Sequence, residues 1–178
     1  IKQLYSHQAT ALDALNAGKH ILVATPTASG KTLIYNVPVI QSLLEESSSR
    51  ALYLFPLKAL EQDQLKTLEE IRAALPSPAF SAAIYDGDTP PEIRKKLRLQ
   101  PPNILISNPD MLHMGLLPYH ESWRSFFSRL KFVVIDEVHH HQAIVNDDTD
   151  EADNPDHGQD TDILAQHEVT ENGTHDAK

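Results

Sequence analysis

Through residues 1–139 short apolar runs alternate with longer amphipathic stretches. The apolar runs are Ile21–Ala24, Ala51–Phe55, Ala82–Tyr85, Ile104–Ser107 and Phe132–Ile135. They are near-continuous rather than alternating, which predicts five strands buried on both faces of a mostly parallel sheet. Between them helices are expected over Tyr5–Asn16, Lys31–Glu46, Lys58–Leu75, Pro91–Leu99 and Glu121–Ser128. In the third, Leu60, Leu65, Leu68, Ile71 and Leu75 recur at helical spacing, with Glu and Lys on the other face. Strand, helix, strand in this order gives βαβ units and a doubly wound α/β domain.

Past His139 the pattern collapses. Residues 140–178 are rich in Asp, Asn, His, Thr and Gly, with Ala143–Val145 and Ile163–Ala165 as isolated apolar runs. That composition predicts a disordered acidic tail, because too little apolar surface is available to offset the entropy of ordering. Charge divides at the same place. Residues 1–140 hold 14 Lys and Arg against 14 Asp and Glu, so the net −10 belongs to the tail. A neutral front segment can still bind nucleic acid through a local basic patch or backbone amides.

The length of 178 residues suits one sizeable α/β domain, not two. Cysteine is absent, which excludes disulfides and thiolate metal sites and fits a cytoplasmic protein. No apolar run reaches the roughly 18–20 residues that span a bilayer, and no membrane association is expected. The first residue is Ile1, so the numbering is expected to start inside a longer product.

Two segments carry chemistry. Thr25-Pro26-Thr27-Ala28-Ser29-Gly30-Lys31-Thr32 follows one predicted strand and opens a predicted helix. It fits the phosphate-loop pattern G-x-x-x-x-G-K-[ST], with Thr25 at the first glycine position. Gly30 lets the backbone turn its N–H groups toward phosphate oxygens at a helix N-terminus. Lys31 supplies a cation for the β- and γ-phosphates, and the Thr32 hydroxyl can ligate Mg²⁺. The second segment lies 104 residues beyond Thr32, where the strand Phe132–Ile135 ends in Asp136-Glu137. Open α/β sheets bind ligands at such carboxyl ends. Asp136 would hold Mg²⁺ and Glu137 would orient or deprotonate the attacking water.

At these residues the sequence resembles the superfamily-2 helicases. Ala24 to Thr32 resembles their motif I, and Asp136-Glu137-Val138-His139 is a DEVH version of motif II. Leu4-Tyr5-Ser6-His7-Gln8 is similar to the upstream segment whose glutamine, here Gln8, reads adenine. Pro56–Leu60 resembles motif Ia, Asp86–Thr89 the intervening Gly-Asp element and Asn108–Leu112 motif Ib. The likeness covers residues 4–139 and is nearest to the YprA-like DExH DNA helicases, relatives of the RecQ-type enzymes.

The resemblance implies an N-terminal RecA-like ATP-binding domain, over residues 1–139, of an ATP-dependent DNA helicase. It implies ATP held by Gln8, Thr27, Ala28, Ser29, Gly30, Lys31 and Thr32, with Mg²⁺ on Thr32 and Asp136. Lys58 and Asn108 would touch phosphates of one strand, with Asp88 and Thr89 behind them. Each has a plainer reading too: Lys58 as a surface lysine, Asn108 as a helix cap before Pro109, Gln8 as a polar position on an amphipathic helix.

After His139 the likeness stops. Nothing resembles motif III, the later arginine-rich motif or the second RecA-like domain, so a truncated or frameshifted product is expected. In this family the motif III strand lies between the strands of motifs I and II, and its loss would leave a gap in the sheet. An arginine finger from the second domain contributes roughly 10³–10⁵ in rate. The chain alone is therefore expected to bind nucleotide with little turnover. The rival readings are a short form that binds nucleotide or nucleic acid without turnover, and another P-loop ATPase or kinase. The histidines His139, His140, His141, His157, His167 and His175 show no zinc-type spacing.

Overall fold

The computed structural model describes residues 4–24, 30–75 and 79–136, together with the backbone of residues 163–164. Two compact units divide the chain, Ile1–Pro38 with Asn154–Lys178 and Val39–Asp153.

In the first unit α1 (Ser6–Asn16) leads through Gly18, at φ +75°, to β1 (Leu22–Val23). The helix α2 (Lys31–Glu45) begins here and ends in the second unit. The units part beside Pro38, whose ring nitrogen cannot donate to the carbonyl one turn back. Ala11 and Ile34 are buried. β1 does not join the parallel sheet expected for it; it pairs antiparallel with β6 (Ile163–Leu164), Leu22 opposite Leu164 and Val23 opposite Ile163. A two-residue strand with Leu22 54 % exposed has little apolar surface with which to anchor a central position. β6 is a strand within the segment expected to be disordered; the rest of the acidic tail lies outside the described residues.

The second unit is built on a four-stranded, all-parallel sheet in the order β3-β4-β2-β5. Its strands are β2 (Arg50–Leu54), β3 (Ala82–Ile84), β4 (Ile104–Ser107) and β5 (Leu130–Ile135). The helices α3 (Lys58–Ala73) and α4 (Pro91–Leu99) make the βαβ crossovers. This is the expected α/β architecture of parallel sheet and flanking helices. The two central strands are buried throughout, from Ala51 to Leu54 and from Ile104 to Ser107, as their unbroken apolar runs require. β5 departs from that expectation. It is an edge strand with alternating exposure, and Val133 and Ile135 are each 54 % exposed. No described strand covers its outer side, so an apolar run that reads as doubly buried has one open face.

Between β4 and β5 the chain takes irregular helical turns. Asn108 caps α5 (Pro109–Met111), accepting from Met111 N at 2.9 Å on Oδ1. A π-helix follows over Leu112–Leu116, then a 3₁₀ turn over His120–Trp123 and α6 (Arg124–Phe127), in place of the single predicted helix Glu121–Ser128. Apolar burial explains this path. Met111, Leu116, Trp123 and Phe126 pack with Leu52, Leu54, Tyr85, Leu97 and Leu105 in one core. Trp123 meets Tyr85 edge-on at 5.0 Å and 82°, and Phe126 at 6.1 Å and 77°. Such pairs each add about 0.5–1.5 kcal/mol beyond area burial.

Candidate functional site

The start of α2 is braced by a side chain from α1. Gln8 is 4 % exposed, and its Nε2 donates to Gly30 O at 3.1 Å while its Oε1 accepts from Tyr5 N at 3.0 Å. Gly30 lies at φ +78°, and a Cβ there would come within 2.6 Å of Gln8 Nε2. Glycine is therefore required twice over, by backbone sign and by the approach of Gln8. Lys31 and Thr32 occupy the first turn of α2, half-buried. The first N–H groups of any helix lack intrahelical partners and favour anions. Gln8 thus holds the loop exit, and half of its amide hydrogen-bonding capacity is used in doing so. Thr27, Ala28 and Ser29 lie outside the described residues.

Asp136 follows β5 and its backbone N–H donates to Leu54 O at 3.1 Å, extending the ladder with β2 to the carboxyl end of the sheet. Glu137 and the histidines from His139 onward lie outside the described residues. Thr32 in the first unit and Asp136 in the second each carry a hard oxygen of the kind that Mg²⁺ takes.

A second cluster gathers at the carboxyl ends of β2, β3 and β4. Lys58 opens α3 and pairs with Asp88, both side chains more than half exposed. This ion pair and its hydrogen bond raise the Lys58 pKa. The loop bearing Asp88 is closed on itself: Asp86 Oδ1 accepts from Thr89 Oγ1 at 2.7 Å and from Asp88 N at 3.1 Å. Arg94 clamps it from α4, donating to the carbonyls of Thr89 (2.8 Å), Asp86 (2.8 Å) and Gly87 (2.9 Å). Asn108 is a structural link as well as a cap, because its Nδ2 donates to Glu61 Oε1 at 3.0 Å.

Glu61 and Arg94 were not singled out from the sequence. The helical stripe expected on α3 faces inward, with Leu68 buried and Leu60, Leu65, Ile71 and Leu75 half-buried, and Glu61 and Gln64 are buried on the same face. The available signal was position: Glu61 and Gln64 each adjoin a leucine of the stripe, Leu60 and Leu65, and stand at helical spacing from Leu68. Burial raises the Glu61 pKa, opposed by the Asn108 hydrogen bond.

The chain matches a known family. The DEAD/DEAH box helicase model matches residues 5–156, and the chain belongs to that family. It is 49% identical over 146 residues to the uncharacterized ATP-dependent helicase YprA of Bacillus subtilis, covering 81% of this chain and 19% of the relative. It is 44% identical over 145 residues to the ATP-dependent helicase hrq1 of Schizosaccharomyces pombe, covering 81% of this chain and 14% of that one. Among solved structures it is similar to the DUF1998 helicase MrfA bound to DNA and AMPPNP. There the TM-score is 0.73 at 49% identity, over 79% of this chain and 20% of MrfA. The chain thus spans a fifth or less of the length of these relatives. Among the described residues no helix is long and apolar enough to cross a membrane.

Proposed function

We propose that this chain is the N-terminal ATP-binding portion of a DNA helicase, coupling ATP hydrolysis to strand translocation once joined to a second RecA-like domain. The observation that carries the reading is the brace of Gln8 on Gly30, which presents Lys31 and Thr32 on the first turn of α2. MrfA, solved with DNA and AMPPNP, supports both ligands.

In this reading the amides of Thr27, Ala28, Ser29 and Gly30 hold phosphate oxygens, Lys31 neutralises the β- and γ-phosphates, and Gln8 uses its remaining capacity on adenine. Thr32 and Asp136 would each offer an oxygen to Mg²⁺, which when bound would offset the charge of the phosphates. Glu137 orients the attacking water and accepts its proton. Lys58 and Asn108 serve the nucleic-acid side, Lys58 as a cation for phosphate and Asn108 through the turn that it caps.

The test is calorimetric titration of the purified chain with ATP and Mg²⁺, beside Lys31→Ala. Binding to the wild type and none to Lys31→Ala supports the reading. Equal binding to both, or none to a folded wild type, refutes it. Hydrolysis by the chain alone should be slow. An arginine finger supplied by another domain contributes roughly 10³–10⁵ in rate, about 4–7 kcal/mol of transition-state stabilisation. A second reading, of a binding module without turnover, draws on the chain's covering a fifth or less of the length of its helicase relatives. Activity restored by adding the second domain in trans would exclude it.

A further inference from the structure

Beyond the phosphate loop and the Lys58 cluster, a half-open hollow of about 480 Å³ lies between α4 and the π-helix. Arg94 and Arg98 line one side, Tyr119 and Met114 the other, and Tyr85 and Gly115 also line it. We propose that this hollow holds one nucleotide of a single-stranded nucleic acid, its phosphate on Arg98 and its base against Tyr119 and Met114. The inference rests on the nucleic-acid reading above and extends it to Arg98, Met114 and Tyr119, outside the helicase motifs, although Met111 of the Asn108–Leu112 segment also lines the hollow.

Charge is the first argument. The first 140 residues are neutral as a whole, yet α4 places Arg94, Lys95, Lys96 and Arg98 within nine residues against the single acid Glu92. A polyanion suits that surface. The two arginines are differently employed. Arg94 is spent on the loop carbonyls and lies 5.4 Å above the Tyr85 ring, so it is a fixed wall. Arg98 donates from Nε to Arg94 O at 3.3 Å, and its terminal nitrogens have no partner among the described residues.

The apolar side is the second argument. Tyr119 is 56 % exposed and Met114 63 %, so a ring and a polarizable thioether stand in solvent beside a guanidinium. Bases stack on such surfaces whatever their sequence. The backbone is shaped to the hollow as well. Leu112–Leu116 is a π-helix, closed by Leu117 N donating to Leu112 O at 2.9 Å, and π turns of this kind concentrate at functional sites. Gly115 cannot gain a Cβ without meeting Met111 Cε at 2.5 Å. Finally, Arg94 holds the loop that carries Asp88, the partner of Lys58, so the hollow and Lys58 border the same loop.

The experiment is fluorescence anisotropy of the full chain with a short labelled oligothymidylate and with the same strand made abasic. Arg98→Glu should weaken both by roughly tenfold or more and lower the salt slope by about 1, as for one lost phosphate contact. Arg98→Gln, a milder change, should act in the same direction. Tyr119→Ala should weaken the oligothymidylate about tenfold and leave the abasic strand unchanged, which is the signature of stacking. If Lys58→Ala weakens binding while the Arg98 and Tyr119 variants match the wild type, the hollow is overturned and the proposed function stands. If the folded wild type binds neither strand, the hollow is overturned, and the proposed function is decided by the ATP titration alone. If Tyr119→Ala changes the oligomeric state and not DNA affinity, the hollow belongs to a protein contact and the proposal is wrong.

Discussion

Replacing Glu61 with Gln tests the reading of the second cluster most directly. Glu61 is fully buried on α3, with Oε1 accepting from Asn108 Nδ2 at 3.0 Å and Oε2 without a partner among the described residues. Burial raises its pKa above the ordinary 4.5, with the nearby Asp86 and Asp88 acting in the same direction and Asn108 and Lys58 opposing. At pH well below 4.5 the carboxyl is protonated in folded and unfolded chains alike and its titration contributes no difference. As pH rises above 4.5 the unfolded chain releases its proton first, so stability falls until the folded-state pKa is passed and the full penalty is present. An unpartnered buried group costs about 1–3 kcal/mol, and more when charged. Gln keeps the Asn108 bond at neutral strength, losing about 1 kcal/mol relative to the charged bond, and removes the buried charge. The net expectation is about 1–2 kcal/mol of added stability at pH 8, a rise in Tm of several degrees for a domain of this size. Thermal melts of both proteins from pH 4 to 8 check this. The curves should converge at the acid end and separate as pH rises. Parallel curves, or a variant less stable at pH 8, would refute the reasoning.

Three further outcomes are expected. Asn103 ties three strand ends together, its Oδ1 accepting from Ser81 N (3.0 Å) and Ser81 Oγ (3.1 Å) and its Nδ2 donating to Ser47 O (2.7 Å); Asn103→Ala should cost about 2 kcal/mol in urea unfolding. Asp88→Asn releases Lys58 from its exposed ion pair, so the melting temperature should hold while affinity for single-stranded DNA rises and becomes steeper in salt. Gly115→Ala forces Met111 Cε away from a new Cβ 2.5 Å distant and crowds Tyr85 Cε1 at 3.3 Å, which should lower stability by about 1 kcal/mol on urea denaturation.

The strands and crossover helices of the parallel sheet were legible because hydrophobic period and turn residues are local properties. The runs at 51–55 and 104–107 read as buried strands, and Asn108-Pro109 offered a helix cap as one of its two readings. Gly30 at the entrance to α2 was legible for the same reason, since a positive φ at a helix entrance is a local demand for glycine. What neighbours a residue finds across the fold is not local. Periodicity could not distinguish the doubly buried β4 from the edge strand β5, because the pattern records apolarity and not the number of sheets or helices that cover it. Nor could it tell that β1 would pair with Ile163–Leu164 in place of a parallel neighbour. Glu61, Asn108 and Arg94 were set in the same way. The sequence presented an acid, a cap and a surface cation; tertiary packing joined Glu61 to Asn108 across two strand-helix units, while Arg94 turns back to clamp the loop that precedes its own helix.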